Sequence, residues 1–155
     1  MAENAPLTRR PVYPPVFFLA ALVVMVALHF LFPWKRIPSV VVRAAGAVPL
    51  VLGLALGIWG SNLFQRARTT IKPFETPTTL VTSGPFRLSR NPMYLGMAAV
   101  LVGVALMLGS ATPFLVIPPF VLLLDVRFIR REESAMRAAF GEAYRAYQAR
   151  VRRWL

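Results

Sequence analysis

The sequence predicts an all-α fold: an integral membrane bundle of four transmembrane helices with a C-terminal amphipathic cytoplasmic helix. Three observations predict it. Of the 155 residues, 57% are hydrophobic and 15% charged, against about 45–50% and ~25% in a soluble domain. The apolar residues fall into three blocks free of Asp, Glu, Lys and Arg: Pro11 to Trp34, Ala44 to Gln65 and Asn91 to Leu124. The charge lies between and after these blocks, with 18 Lys and Arg against 6 Asp and Glu and a net charge of +12. The length suits one domain at a prior of ~150 residues, so residues 1–155 are read as a single unit.

The first block predicts a helix over about 14–33. Arg9 and Arg10 precede it as in a signal peptide, but Val16 to Phe32 is longer than a usual apolar signal core. It ends in Phe-Pro-Trp rather than a small-residue cleavage site. It is therefore read as a retained helix. The second block predicts a helix over about 40–64. The third, 34 residues, makes roughly 51 Å as one helix at ~1.5 Å per residue, too long for a ~30 Å hydrocarbon core. Gly109-Ser110-Ala111-Thr112-Pro113 divides it into a hairpin with helices over about 92–109 and 113–129. Asn91 is expected to cap the first of these and Thr112 the second, each followed by a proline suited to a first turn. Pro118-Pro119 predicts a kink in the last helix. The glycines at 46, 53, 57, 60, 96 and 103 are expected to let membrane helices approach closely.

Four crossings put both termini and the middle loop on one side. That side carries Arg9, Arg10, Arg66, Arg68, Lys72, Arg87, Arg90 and every basic residue from Arg127 onward, and the other only Lys35, Arg36 and Arg43. The basic side is cytoplasmic by the positive-inside rule, and the expected location is the inner membrane of a prokaryote. Membrane segments divide the positive charge, so nucleic acid is not an expected partner; anionic lipid headgroups are.

Cysteine is absent and histidine occurs once, which removes disulfides, thiol catalysis and cysteine-based metal sites. His29 sits near the outer end of the first helix, where interfacial hydrogen bonding is the expected role rather than catalysis. No metal is expected. Two polar stretches remain, both cytoplasmic. In Arg66 to Asn91, Thr76 to Thr79 and Ser83 to Pro85 read as turns. In Arg127 to Leu155, Met136, Phe140, Tyr144, Tyr147 and Val151 form one apolar helical face. Gly141 is expected to bend that helix. Such a face lies on the membrane surface or forms a lid over the cytoplasmic helix ends.

Charge spacing singles out three acids. Glu133 has Arg130 three residues before it and Arg137 four after, which predicts a local ion pair. Glu132 has no basic neighbour at helical spacing, so its carboxylate must face water, another element or a ligand. Asp125 also lacks one and lies in the last turns of a membrane helix, where an ionisable residue is a functional candidate or pairs with Arg87 or Arg90 across the bundle.

Two motifs go further. The run from Thr79 to Gly96 contains Thr82-x-Gly84-x-Phe86 and Arg90-Asn91-Pro92-x-Tyr94-x-Gly96. It resembles the signature of the isoprenylcysteine carboxyl methyltransferase family, within the phospholipid methyltransferase superfamily. Glu132-Glu133, Phe140-Gly141, Tyr144, Tyr147 and Val151-Arg152-Arg153-Trp154 resemble that family's second signature. The resemblance covers about half the chain and implies S-adenosylmethionine as methyl donor, with S-adenosylhomocysteine as product. It places the cofactor on about 76–155, with contacts at Thr78, Thr79, Leu80, Val81, Phe86, Asn91, Pro92, Met93, Tyr94, Glu132 and Glu133. Phe86 and Tyr94 are expected to stack on the adenine or face the sulfonium. Where the signature often has His, this chain has Asn91, which cannot serve as a base.

The implied acceptor is a lipophilic carboxylate, already ionised, oriented by Arg127, Arg131 or Arg90. A phospholipid N-methyltransferase is the alternative, and a non-catalytic membrane scaffold is a third reading of another class.

Overall fold

The computed structural model describes residues 13–68 and 78–155. The expected turn at Thr76-Pro77 and the charges at Arg9, Arg10 and Lys72 lie outside them. The regular structure among the described residues is all helical, with no strand. The helices are α1 (Pro14–Leu31), α2 (Val40–Ala45), α3 (Ala47–Arg66), α4 (Pro92–Leu108), α5 (Ile117–Leu124) and α6 (Arg130–Arg150).

Three helical runs are long and apolar enough to cross a membrane: Pro14–Leu31, Val40–Arg66 and Thr112–Arg150. The apolar helix α4 is shorter, at 17 residues. Prolines set several boundaries. Phe32 leaves helical geometry just before Pro33, because the residue before a proline is driven out of the α region. Pro49 lacks an N–H and crowds the carbonyl four residues back, and the helix is interrupted at Gly46, between α2 and α3. Ser39 caps the start of α2, accepting from the Val42 N–H at 3.3 Å.

α3 and α4 pack antiparallel through glycine. A Cβ on Gly46 would sit 2.6 Å from the Gly103 carbonyl oxygen, and one on Gly60 would sit 2.8 Å from Met93 Cγ. Gly53 and Gly96 oppose each other between these two contacts. Residues 46, 53 and 60 are seven apart, as are 96 and 103, so each set lies on one face about every two turns. The backbones meet along that seam. Gly57 is the exception, since a Cβ there meets nothing within 4 Å.

At the end of the bundle where α1 and α4 finish, the hairpin tip is stapled to the α1–α2 loop. Ile37 donates to the Gly109 carbonyl at 2.8 Å and Ala111 to that of Trp34 at 2.9 Å. His29 Nδ1 lies 2.8 Å from the Ser110 hydroxyl, the interfacial bond expected of it. Gly109 closes α4 in the left-handed region at φ 77°, where glycine carries no steric penalty.

Thr112 corrects an expectation. It caps nothing; its hydroxyl donates to the Phe32 carbonyl and accepts from the Trp34 N–H. The segment opens as a 3-10 turn, Thr112–Val116, with Ala111 as its first flanking residue. The double proline lies within the first turn of α5, just after that 3-10 turn, so it marks the change of helix type rather than a mid-helix bend.

Past α5, Asp125–Ile129 form one π-helical turn, which no sequence signal announced. Phe128 and Ile129 on this turn are buried with Met25, Leu101 and Leu124, where α1, α4 and α5 meet. α6 follows and turns sharply at Gly141, whose φ of 50° and ψ of −120° suit glycine alone. The second half of α6 thereby folds back toward the start of α4.

The seam makes a direct prediction. Gly103→Ala should lower thermal stability in detergent by about 1–3 kcal/mol, since its Cβ meets backbone that cannot move aside. Gly57→Ala should be neutral or stabilising by up to ~1 kcal/mol, the helix-propensity gain. Equal effects would remove the close-packed seam.

Candidate functional site

The polar end of the bundle is built from three pieces: the loop 78–91, the first turns of α4, and the run from the π-turn to residue 155. A buried carboxylate joins them. Glu133 is 3% exposed, and its two oxygens lie 2.7 Å from Arg90 Nη2 and 2.7 Å from Arg153 Nη2. Arg153 also bonds Asp125 at 3.1 Å.

The backbones of the same residues interlock. Arg90 N donates to the Arg152 carbonyl at 2.9 Å, and Ser89 Oγ to that of Arg153 at 3.2 Å. Arg90 Nη1 donates to the carbonyls of Gln148 and Val151. Above them Tyr144, Tyr147 and Val151 are buried with Leu80, Met136 and Phe140. Tyr147 donates its hydroxyl to the Phe86 carbonyl at 2.6 Å. Burial pushes the Tyr147 hydroxyl up to about 12, so it remains a donor at neutral pH. The apolar face of α6 is therefore covered by the protein's own residues.

Of the two local partners expected for Glu133, Arg137 is present as an i,i+4 ion pair and Arg130 is not. Arg137 is 3.9 Å away and exposed, and Arg130 pairs with Asp125 instead, at 2.9 Å. The π-turn is the reason: its five-residue repeat brings residue 130 back over 125. Asp125 thus has two arginine partners, neither of them Arg87 or Arg90. Burial alone would raise the Glu133 carboxyl. Hydrogen bonds from Arg153 and Arg90 overcome that and hold it below the usual carboxylate range.

Glu132 has the opposite environment. It is half-buried, and its Oε1 accepts from the Tyr94 hydroxyl at 2.6 Å. No guanidinium pairs with it among the described residues. Burial raises its carboxyl above the usual range, and the Tyr94 hydrogen bond only partly opposes this. Two adjacent glutamates are thus pushed apart, one held ionised in a clasp and one left without a cation.

Several residues expected to touch a cofactor have contacts within the protein. Phe86 is buried, its ring 5.4 Å from that of Phe64 in an edge-on contact, so it is core. Asn91 flanks α4 without capping it; its side-chain amide donates to the Arg153 carbonyl at 3.0 Å. Arg90 was expected to orient an acceptor, but its guanidinium is committed to Glu133 and two carbonyls. Thr78 donates to the Arg68 carbonyl at 3.5 Å, and Thr79 is exposed. Leu80 packs on the Tyr144 cluster, Val81 and Pro92 are buried, and Met93 lies against Gly60.

Arg127 places its guanidinium 5.7 Å from the centre of the Phe17 ring, and Arg131 is exposed. What comes together is Tyr94, Glu132 and the start of α4. Arg153, to which the sequence assigned no role beyond its place in the run resembling the second signature, is the second arm of the clasp.

A multi-helix membrane protein with a polar cap clasped over the start of an apolar helix is the class that fold and site define. The family profile for phospholipid methyltransferases matches residues 41–143, and the chain belongs to that family. The family consists of membrane methyltransferases, and S-adenosylmethionine dependence is general to it. A Haemophilus influenzae protein described as uncharacterized is 38% identical over 63 residues, covering 41% of this chain and all of that protein.

Glu133→Gln should leave Arg90 and Arg153 without a counter-charge. The loss should fall toward the lower end of the ~3–5 kcal/mol for breaking a buried pair, because Arg153 is 35% exposed. Since the folded carboxyl is depressed, its contribution is present above the unfolded value of ~4.3 and lost as pH falls through the folded value. Acid unfolding followed by circular dichroism should show a steep limb below about pH 4 in the wild type. The glutamine variant should show a flatter one.

Proposed function

We propose that this chain transfers the methyl group of S-adenosylmethionine to the carboxylate of a lipid-like, membrane-embedded acceptor. Family membership supports methyl transfer. The observation that carries the reading further is Glu132, a half-buried carboxylate beside the first turn of α4 with no cation partner among the described residues. A carboxylate so placed suits the ammonium or ribose hydroxyls of the cofactor. No side chain caps α4, so the N–H groups of Met93 and Tyr94 suit the cofactor's carboxylate. The residues present therefore fit the cofactor, which when bound supplies an electrophilic methyl on a sulfonium.

The cofactor would supply its methyl to the acceptor carboxylate, an O–CH3 bond replacing the S–CH3 bond and S-adenosylhomocysteine being the leaving product. A carboxylate is ionised at neutral pH, so no base is needed and Asn91 in place of histidine is no defect. The protein's part is alignment and exclusion of water. Arg127 and Arg131, one turn apart beside the membrane helices, are the arginines placed to orient an anionic acceptor.

The membrane reading completes this: four crossings with α4 as the third, both termini cytoplasmic, the cofactor entering from the cytoplasm and the acceptor from lipid. A cysteine at position 35 should react with an impermeant reagent outside the cell, and one at position 65 should not. The reverse pattern would overturn the orientation.

Glu132→Gln should weaken S-adenosylmethionine binding by about 1.5–3 kcal/mol, the range for a charged hydrogen bond. The raised carboxyl fixes the sign with pH: affinity should strengthen as pH rises through the Glu132 titration, and calorimetry should find this dependence abolished in the glutamine variant. No measurable binding at all would favour the scaffold reading. A product methyl labile to mild base identifies the ester. A base-stable methyl would favour phosphatidylethanolamine-type N-methylation, for which Glu132, made more basic by burial, is the proton acceptor the site offers.

A further inference from the structure

Nearly every described carboxylate at the polar end has an arginine. Asp125 has Arg130 and Arg153, Glu133 has Arg90 and Arg153, and Glu142 lies 3.6 Å from Arg145. Glu132 is bonded to Tyr94 instead. Two guanidiniums without an acid partner among the described residues meet at one place. Arg87, on the 3-10 turn Gly84–Arg87, and Arg150, at the end of α6, line a cavity of about 460 Å³ with Thr82, Ser83, Tyr147 and Val151. Arg150 uses only its Nε, toward the Ala146 carbonyl at 3.3 Å.

The lining has a chemical preference. Two like charges facing one cavity, with no carboxylate among its described lining residues, raise the local potential for an anion. Guanidinium forks and hydroxyls are the donor set that matches the oxygens of a phosphate. The cavity lies within the ~300–1,000 Å³ of small-molecule sites and is larger than a bare ion needs. Val151 and the Tyr147 ring supply an apolar wall, and the Tyr147 hydroxyl is already bonded to the Phe86 carbonyl. None of the six lining residues belongs to the Glu132–Tyr94 site.

We propose that this cavity binds a phosphate ester, held by Arg87 and Arg150 with the Thr82 and Ser83 hydroxyls, at a site separate from methyl transfer. The ester is either the headgroup of an acidic lipid or a water-soluble molecule. The proposal stands apart from the identity of the methyl acceptor.

Two probes separate the sources. Glycerol 3-phosphate is titrated into detergent-purified protein, and the protein is compared in nanodiscs of phosphatidylcholine with and without phosphatidylglycerol. The readout is the melting temperature. A rise with glycerol 3-phosphate supports the site with a soluble ligand, and a rise with phosphatidylglycerol alone supports it with a lipid headgroup.

Arg87→Ala and Arg150→Ala should each raise the half-saturating concentration about tenfold, the equivalent of ~1.4 kcal/mol. Arg145→Ala, which removes the same charge outside the cavity, should leave it unchanged. Should an alanine variant fail to fold, Arg87→Gln, which keeps length and hydrogen bonding, replaces it with the same expectation. No response to either probe overturns the proposal. So does an equal loss in Arg145→Ala, which would mean diffuse charge alone. Displacement of the phosphate by S-adenosylmethionine also overturns it, because the cavity would then belong to the methyl-transfer site.

Discussion

The buried carboxylate of Glu133 holds the polar end of this protein together. It accepts from Arg90, which precedes α4, and from Arg153, which follows α6. Two segments 63 residues apart in sequence (90 and 153) are thereby joined through a third. A carboxylate with so little exposure is stable only when its oxygens are satisfied, so the three pieces are interdependent. The interlocked carbonyls of Gln148, Val151, Arg152 and Arg153 extend the clasp along the backbone. With the loop and the α6 return held, Tyr94 and Glu132 are brought within hydrogen-bonding distance of each other.

The apolar part supplies the platform. The glycine seam between α3 and α4 fixes how α4 runs, and the staple at the far end fixes its finish against the α1–α2 loop. The π-turn then sets the rotation of everything after Ile129. One extra residue in a turn rotates the following helix by about 100° relative to a regular α-helix. That rotation gives Asp125 its partner in Arg130 and aims two adjacent glutamates at different elements. π-turns within helices occur frequently at functional sites, and this one lies directly before the acidic pair.

Much was legible in advance. The apolar blocks located the helices to within a few residues, because unbroken apolar runs of that length have few other soluble or membrane solutions. The family followed from residues of Thr82 to Gly96 and of Glu132 to Tyr147. Glycine spacing pointed to close helix contacts, and Gly141 to a break. What failed were the pairings. Asn91 and Thr112 have the residue type and the following proline of helix caps, yet each bonds a distant carbonyl. Glu133 keeps one of its two arginines at helical spacing, Arg137 at 3.9 Å, yet its hydrogen bonds come from Arg90 and Arg153. Helical-spacing rules assume a regular helix and no better partner, and here a π-turn and a fold-back at Gly141 supply both exceptions.

The sequence by itself determined the class of this protein. Hydrophobic block length, basic-residue distribution and the two motifs are local properties, read without knowing where the chain goes. Only the tertiary structure decided which of two neighbouring glutamates is the clasp and which is bonded to Tyr94. That choice depends on which guanidiniums arrive from elsewhere, and a buried charge takes the nearest well-aligned partner whatever its distance along the chain.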